Sequence, residues 1–133
     1  MSKAQRGKEL SIRLGNKIGV GAAVFSSLKD AGVNIIASCS YQIGSEAIFT
    51  IVPDNAEVAQ RVLEENQITP VIQEVLLVEM ANQVGAFAQV LQEISKLGVN
   101  INSAYATATA THAALAVLKT DSDDRVLEKL NKD

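Results

Sequence analysis

One cysteine, one histidine and no tryptophan leave this chain short of the side chains that most often carry covalent, metal or redox chemistry. Cys39 has no second thiol, so no internal disulfide forms and a reducing cytoplasm is the expected location. Without a nearby activating group, the thiol is expected to be a small buried hydrophobe. His112 falls among alanines in an expected strand, and no acidic pair stands out from the helix surfaces. The reading is therefore of a chain that is not an enzyme, with no catalytic residue, no cofactor and no metal. Aromatic residues make up 4% of the chain and the formal charge is −3. Both the stacking platform and the positive field of a nucleic-acid binder are missing, so no nucleic-acid partner is expected. No apolar run reaches the roughly 18 residues of a membrane helix, and none follows Lys3, Arg6 and Lys8 as a secretory signal requires. No membrane partner is expected.

What the chain does have is enough apolar material to fold, 47% of residues against 20% charged, over 133 residues. It also contains one stretch twice. The run from Leu10 to Val52 returns from Leu76 to Leu118, read without a gap at an offset of 66 residues. Asn16 matches Asn82, Gly19 matches Gly85, and Gly32-Val33-Asn34-Ile35 matches Gly98-Val99-Asn100-Ile101. Two units of roughly 65 residues follow, each near the size where a single core is marginal. The expected organisation is a disordered or polar tail over residues 1–9, a first unit over 10–73 and a second over 74–133.

Each unit opens with an alternating apolar strand, Leu10 to Leu14 or Leu76 to Met80. A Gly-bearing loop leads to a helix with one apolar stripe, carried by Val24, Phe25 and Leu28 or by Phe87, Val90, Leu91 and Ile94. Gly32 and Gly98 stop these helices in the left-handed conformation that glycine adopts at low cost. Second strands start at Val33 and Val99; third strands run over Ala47 to Val52 and His112 to Leu118. Second helices are expected after Asp54 and Asp121 as acidic caps. Ile68 to Ile72 closes the first unit, whereas nothing after Asn131 can close the second.

The fold class is therefore α+β: two ferredoxin-like βαββαβ units in tandem, the second lacking its last strand, with antiparallel sheets and helices on one face. An uncovered sheet edge invites pairing. A second copy of the chain is the first expectation for covering it, and the polar N-terminal segment is the alternative.

The repeated polar set is the candidate site: Asn16, Gly19, Val20 and Gly21 with Asn34, and Asn82, Gly85, Ala86 and Phe87 with Asn100. Helix starts leave amides unpaired at the positive end of the dipole, and glycine lets a ligand approach them. An amide side chain offers both a donor and an acceptor, so the set suits the carboxylate and ammonium of a free amino acid. The competing reading has Asn16 and Asn82 only capping turns, and Asn34 and Asn100 only satisfying strand-edge backbone. Gly21 opposite Phe87 makes the two copies unequal, the ring either narrowing a pocket or filling core.

Asn-x-x-Gly, an amphipathic helix and Gly-Val-Asn-Ile together resemble the signature of ACT domains, small amino-acid-sensing regulatory modules, over nearly the whole chain. The stretch from Val20 to Ile35 is similar to the regulatory ACT pair of aspartokinases. The resemblance implies a ligand held where two domains meet, with Asn16 and Asn82 facing Asn34 or Asn100 of a neighbour. It also implies a homodimer and a partner enzyme of amino-acid metabolism. Leu14 and Met80 replace the histidine of serine-sensing members, which favours a larger hydrophobic side chain on the ligand. Ile18 and Val84 stand where a proline usually precedes the loop glycine, which favours the alternative function: a ligand-free module for oligomerisation or docking onto an enzyme.

Overall fold

The computed structural model describes residues 2–132. Its elements are β1 (Lys3–Gly15), α1 (Val20–Asp30), β2 (Ile35–Ile43), β3 (Glu46–Pro53), α2 (Ala56–Glu65), β4 (Val71–Met80), α3 (Ala86–Lys96), β5 (Ile101–Thr107), β6 (Ala114–Thr120) and α4 (Asp123–Asn131). They form two compact units, one over Lys8–Gln73, the other combining the chain up to Gly7 with everything from Glu74. Two strands are thus divided between units: residues 3–7 of β1 belong with 74–80 of β4, and residues 8–15 of β1 with 71–73 of β4.

In the Lys8–Gln73 unit, β3 lies between β2 and β1, antiparallel to both, with Leu10 opposite Ile51 and Cys39 opposite Thr50. Alternate residues of β1 and β3, Leu10, Ile12, Phe49 and Ile51, bury against Val24 and Leu28 of α1 and Ala59, Val62 and Leu63 of α2. This matches the alternation and the helical stripe. Ile48 and Val52, on the opposite face of β3, are buried as well. That explains why this strand reads as a nearly unbroken apolar run instead of alternating.

The other unit repeats the plan, with β6 between β4 and β5 and Leu76 opposite Leu118. Leu76, Val78 and Met80 pack with Ala116 and Leu118, Val90 and Ile94 of α3, and Val126 and Leu130 of α4. Ala4 joins this core at 7% exposure. The expected disorder over residues 1–9 is therefore corrected for residues 3–9, which are strand; Met1 lies outside the described residues. Beside β4 in the sheet order, β1 occupies the place of the missing last strand, so the N-terminal segment, not a second copy, covers that edge.

Local chemistry accounts for this docking. The Ala4 amide donates to Asn131 Oδ1 at 2.8 Å, and Asn131 Nδ2 donates to the Ala4 carbonyl at 2.9 Å, so one side chain satisfies both main-chain groups. Arg6 pairs with Asp124 and, at 3.7 Å, with Glu74. At Gly7 an added Cβ would come within 2.9 Å of Leu77 Cδ1, so the absence of a side chain lets the strand lie close.

Register corrects the ungapped repeat. Leu10 faces Ile51, whereas its counterpart Leu76 faces Leu118, so the offset is 66 in the opening strands and 67 in the third ones. The extra residue sits between β5 and β6, and it makes Ala116 the counterpart of Phe49. Gly21 and Phe49 in one unit thereby match Phe87 and Ala116 in the other. A Cβ on Gly21 would meet the Phe49 ring at 3.2 Å. The ring comes from the strand in one copy and from the helix in the other.

Smaller expectations shift too. Asn55, not Asp54, caps α2, its side chain accepting from the Val58 amide at 3.1 Å. Ser122 occupies the cap position of α4, and Asp123 accepts from the Thr120 amide and hydroxyl. The strand expected over Ile68 to Ile72 starts at Val71 and continues into the next unit as β4. His112 lies in the exposed β5–β6 loop, not in a strand, and Cys39 is partly exposed on β2. Gly32 and Gly98 do end their helices at positive φ, 78° and 71°. A bulge between Ile35 and Ala37 recurs between Ile101 and Ser103, immediately after each helix-end asparagine.

Candidate functional site

The two Asn-x-x-Gly loops fold alike because both glycines sit in the left-handed region, Gly19 at φ 85° and Gly85 at φ 87°, as the residues preceding α1 and α3. Nothing lies within 4 Å of a Cβ built at either one. Backbone conformation, not crowding, is what glycine supplies here. Neither helix start has a side-chain cap.

The amides are less free than helix geometry alone suggests. Val20 donates to Lys17 O at 3.1 Å and Ala86 to Gln83 O at 3.2 Å, so the first helical amide of each copy is used inside its own loop. Ala23 and Gln89 resume the helical ladder by donating to Gly19 O and Gly85 O. The first-turn amides left over by helix geometry are those of Gly21 and Ala22 in one copy and of Phe87 and Ala88 in the other.

Asn82 donates through Nδ2 to Thr109 O, tying the α3 loop to the β5–β6 loop. Its counterpart Asn16 makes the equivalent tie through its main chain, the amide donating to Ser45 O at 2.9 Å. Asn82, Ala86 and Phe87 are brought together around one cavity of about 230 Å³, completed by Met80, Ala106 and Ala114. Phe87 also packs against the core of its unit, so the ring is both core and cavity wall.

Asn34 and Asn100 are not brought to these loops within their units. They follow the opposite ends of α1 and α3, eleven-residue helices about 16 Å long. The Asn34 amide donates to Asp54 Oδ1 at 3.0 Å and its carbonyl accepts from the Asp54 amide at 2.9 Å. Asn100 repeats half of this, accepting from the Asp121 amide at 3.0 Å, and its side chain donates to Asn102 Oδ1 at 3.3 Å. Main-chain bracing thus occupies both residues, and the Asn34 side chain is exposed. Asp54 and Asp121, expected as helix caps, instead brace these asparagines.

A second cavity, about 390 Å³, opens between α3 and α4 in the same unit, and no sequence pattern points to it. Its walls come from both helices, from Met80, Ala81 and Gln83 at the start of the Asn82 loop, and from the N-terminal Ser2, which the repeat pattern does not bring there.

Comparison with known proteins agrees with this architecture. The chain is similar to the crystal structure of protein BT0572 from Bacteroides thetaiotaomicron, with TM-score 0.87 and 29% identity over 96% of this chain and 88% of that one. It is also similar to the ligand-free regulatory subunit of aspartate kinase from Thermus thermophilus, with TM-score 0.66 and 17% identity over 97% and 93% of the two chains. A structure of aspartokinase alpha and beta subunits gives TM-score 0.65 and 18% identity, covering 96% and 94%. No curated protein matches. The family described as ACT domain pair matches residues 6–132, from the strand segment that completes the second unit to the last turn of α4, and the chain belongs to that family.

Proposed function

We propose that this ACT domain pair is a regulatory module that binds a free amino acid at its Asn-x-x-Gly loops and passes the signal on through a change of conformation or assembly. The observation that carries this reading is the start of α3, where Asn82 and Phe87 share a cavity beside left-handed Gly85 and uncapped first-turn amides. There a carboxylate would accept from the Phe87 and Ala88 amides at the positive end of the helix dipole. Asn82 Oδ1 would accept from the ammonium, its Nδ2 already serving Thr109. Met80, Phe87, Ala106 and Ala114 would surround an apolar side chain.

Asn16, Gly19, Val20 and Gly21 form the matching loop of the other copy. In the proposal, Asn34 and Asn100 approach such loops from a neighbouring molecule, which makes a homodimer part of it. Two of the similar structures bear names of aspartate kinase assemblies, and by that analogy the target is an enzyme of amino-acid metabolism. The role proposed is non-catalytic and cytoplasmic; among the described residues, no helix is long and apolar enough to cross a membrane. Binding regulates only through differential affinity for two states.

A thermal-shift screen of the common amino acids tests the reading. At least one should raise the melting temperature, a ligand at a hundred times its Kd adding about 2.7 kcal/mol of stability, and Asn82→Ala should reduce the gain. A screen in which no amino acid does so rejects it.

One observation favours the second reading, a ligand-free docking module. Ile18 and Val84, counterparts at the loop tips, are fully exposed. On that reading Ile18→Ser with Val84→Ser weakens association, and the oligomeric state ignores every amino acid.

A further inference from the structure

We propose that the 390 Å³ cavity between α3 and α4 is a second ligand site, which adjoins the Asn82 cavity through Met80, Ala81, Gln83 and Ala86 but is not lined by Asn82 or Phe87. It takes a small aliphatic carboxylate and, when filled, locks the N-terminal strand segment in place. The volume falls within the range of small-molecule sites, roughly 300–1,000 Å³. The lining is divided by chemistry. Buried Met80, Val90 and Leu130 form its apolar part, and Lys129 and Lys132 from the end of α4 are its cationic residues, with Gln83 and Gln89 as further polar groups.

Among the described residues, Glu93 is the one acidic residue that lines the cavity. Glu93 is already engaged, accepting from Lys96 at 3.2 Å and from Lys129 at 3.4 Å. Those two ammonium groups, Lys96 foremost through its hydrogen bond, hold the Glu93 carboxyl below the usual carboxylate range. It therefore stays ionised and offsets one lysine, and the described lining residues, Lys129, Lys132 and Glu93, keep a single net positive charge. An apolar floor under an excess cation suits a carboxylate with a short hydrocarbon body. Glu93 also offers an acceptor to a ligand ammonium, so an aliphatic amino acid and the corresponding simple acid share the required chemistry.

Position links this site to the fold. Ser2 lines the cavity, and so do Lys129, Leu130 and Lys132, which flank Asn131 in sequence. Asn131 is the residue that holds both main-chain groups of Ala4. A ligand seated there would join α3, α4 and the segment that completes the sheet of this unit. Binding would then restrict opening of residues 3–7 by an amount that grows with the ratio of ligand concentration to Kd.

Methyl NMR on the full chain, titrated with L-leucine and in parallel with 4-methylpentanoate, tests the proposal. Val90 and Leu130 line this cavity but not the Asn82 one. The expected result is saturable shifts at those methyls. Binding should weaken roughly tenfold in the Lys129→Gln, Lys132→Gln double variant and persist in Asn82→Ala. Amide exchange over residues 3–7 should slow on saturation. Leucine binding without 4-methylpentanoate binding identifies a zwitterion site that uses Glu93, whereas binding of both identifies a general carboxylate site; either supports the assignment. Absence of saturation with both probes, or shifts indifferent to the lysines, overturns it. Binding that Asn82→Ala alone abolishes also overturns it and leaves the loop reading standing.

Discussion

At the scale of single residues, Asn131 does more than its place in an exposed last turn suggests. Its amide makes two hydrogen bonds to Ala4, each worth about 0.5–1.5 kcal/mol net. Asn131→Ala should therefore cost about 1–3 kcal/mol in urea denaturation. Asn131→Asp should cost more at neutral pH, because a carboxylate would face the Ala4 carbonyl; equal stability of all three proteins would refute the clamp. Gly85 gives a cleaner test of backbone strain. With no atom near its missing Cβ, Gly85→Ala should lose about 1–2 kcal/mol from the left-handed conformation alone, and Gly19→Ala the same. Glu93 predicts the direction of a pH effect. Its folded carboxyl sits below the ordinary value, so its contribution is complete above the unfolded pKa of about 4.3 and disappears as pH falls through the folded one. The stability difference between wild type and Glu93→Gln should shrink on acidification through that window, as denaturation at stepped pH would reveal.

At the scale of elements, the N-terminal strand decides whether the second unit is whole. Deleting residues 1–7 removes Ala4 from the core and strips the side of β4 that β1 covers. The truncated chain should melt at lower temperature and associate as concentration rises, since an uncovered strand recruits another. Unchanged melting and a monodisperse truncated chain would contradict the assignment. Much of the element plan was legible in sequence. The alternation around Leu10 and Leu76, the stripes of α1 and α3, and the glycines that end them are local signals, and each emerged where expected. The N-terminal strand was not legible, because Lys3, Gln5 and Lys8 face solvent and, among the described residues before Leu10, Ala4 is the one buried apolar side chain. Its partners, Asn131 and Asp124, lie more than a hundred residues away. Pattern reading also missed the extra residue before β6, which leaves helix and strand lengths intact and appears only in the pairing of Leu76 with Leu118.

At the scale of the whole molecule, the repeat is one of backbone positions more than of side-chain volumes. The left-handed loop glycines, the bulge after each helix-end asparagine and the Asp54 and Asp121 bonds recur, while Gly21 with Phe49 is exchanged for Phe87 with Ala116. Copies that share polar geometry and differ in apolar filling are suited to holding the same charged groups with different side-chain preference. The loop glycines and asparagines were legible as a set because duplication filters chance. The cavity walls were not, since Ala106 and Ala114 reach Asn82 only through the pairing of β6 with its neighbours. Isothermal titration calorimetry of the intact chain against the common amino acids, one at a time, tests the sensing role most directly. The account predicts saturable heat with at least one, its affinity lowered about tenfold by Asn82→Ala through loss of the ammonium acceptor. Flat titrations with all of them, from a protein shown to be folded, would contradict it.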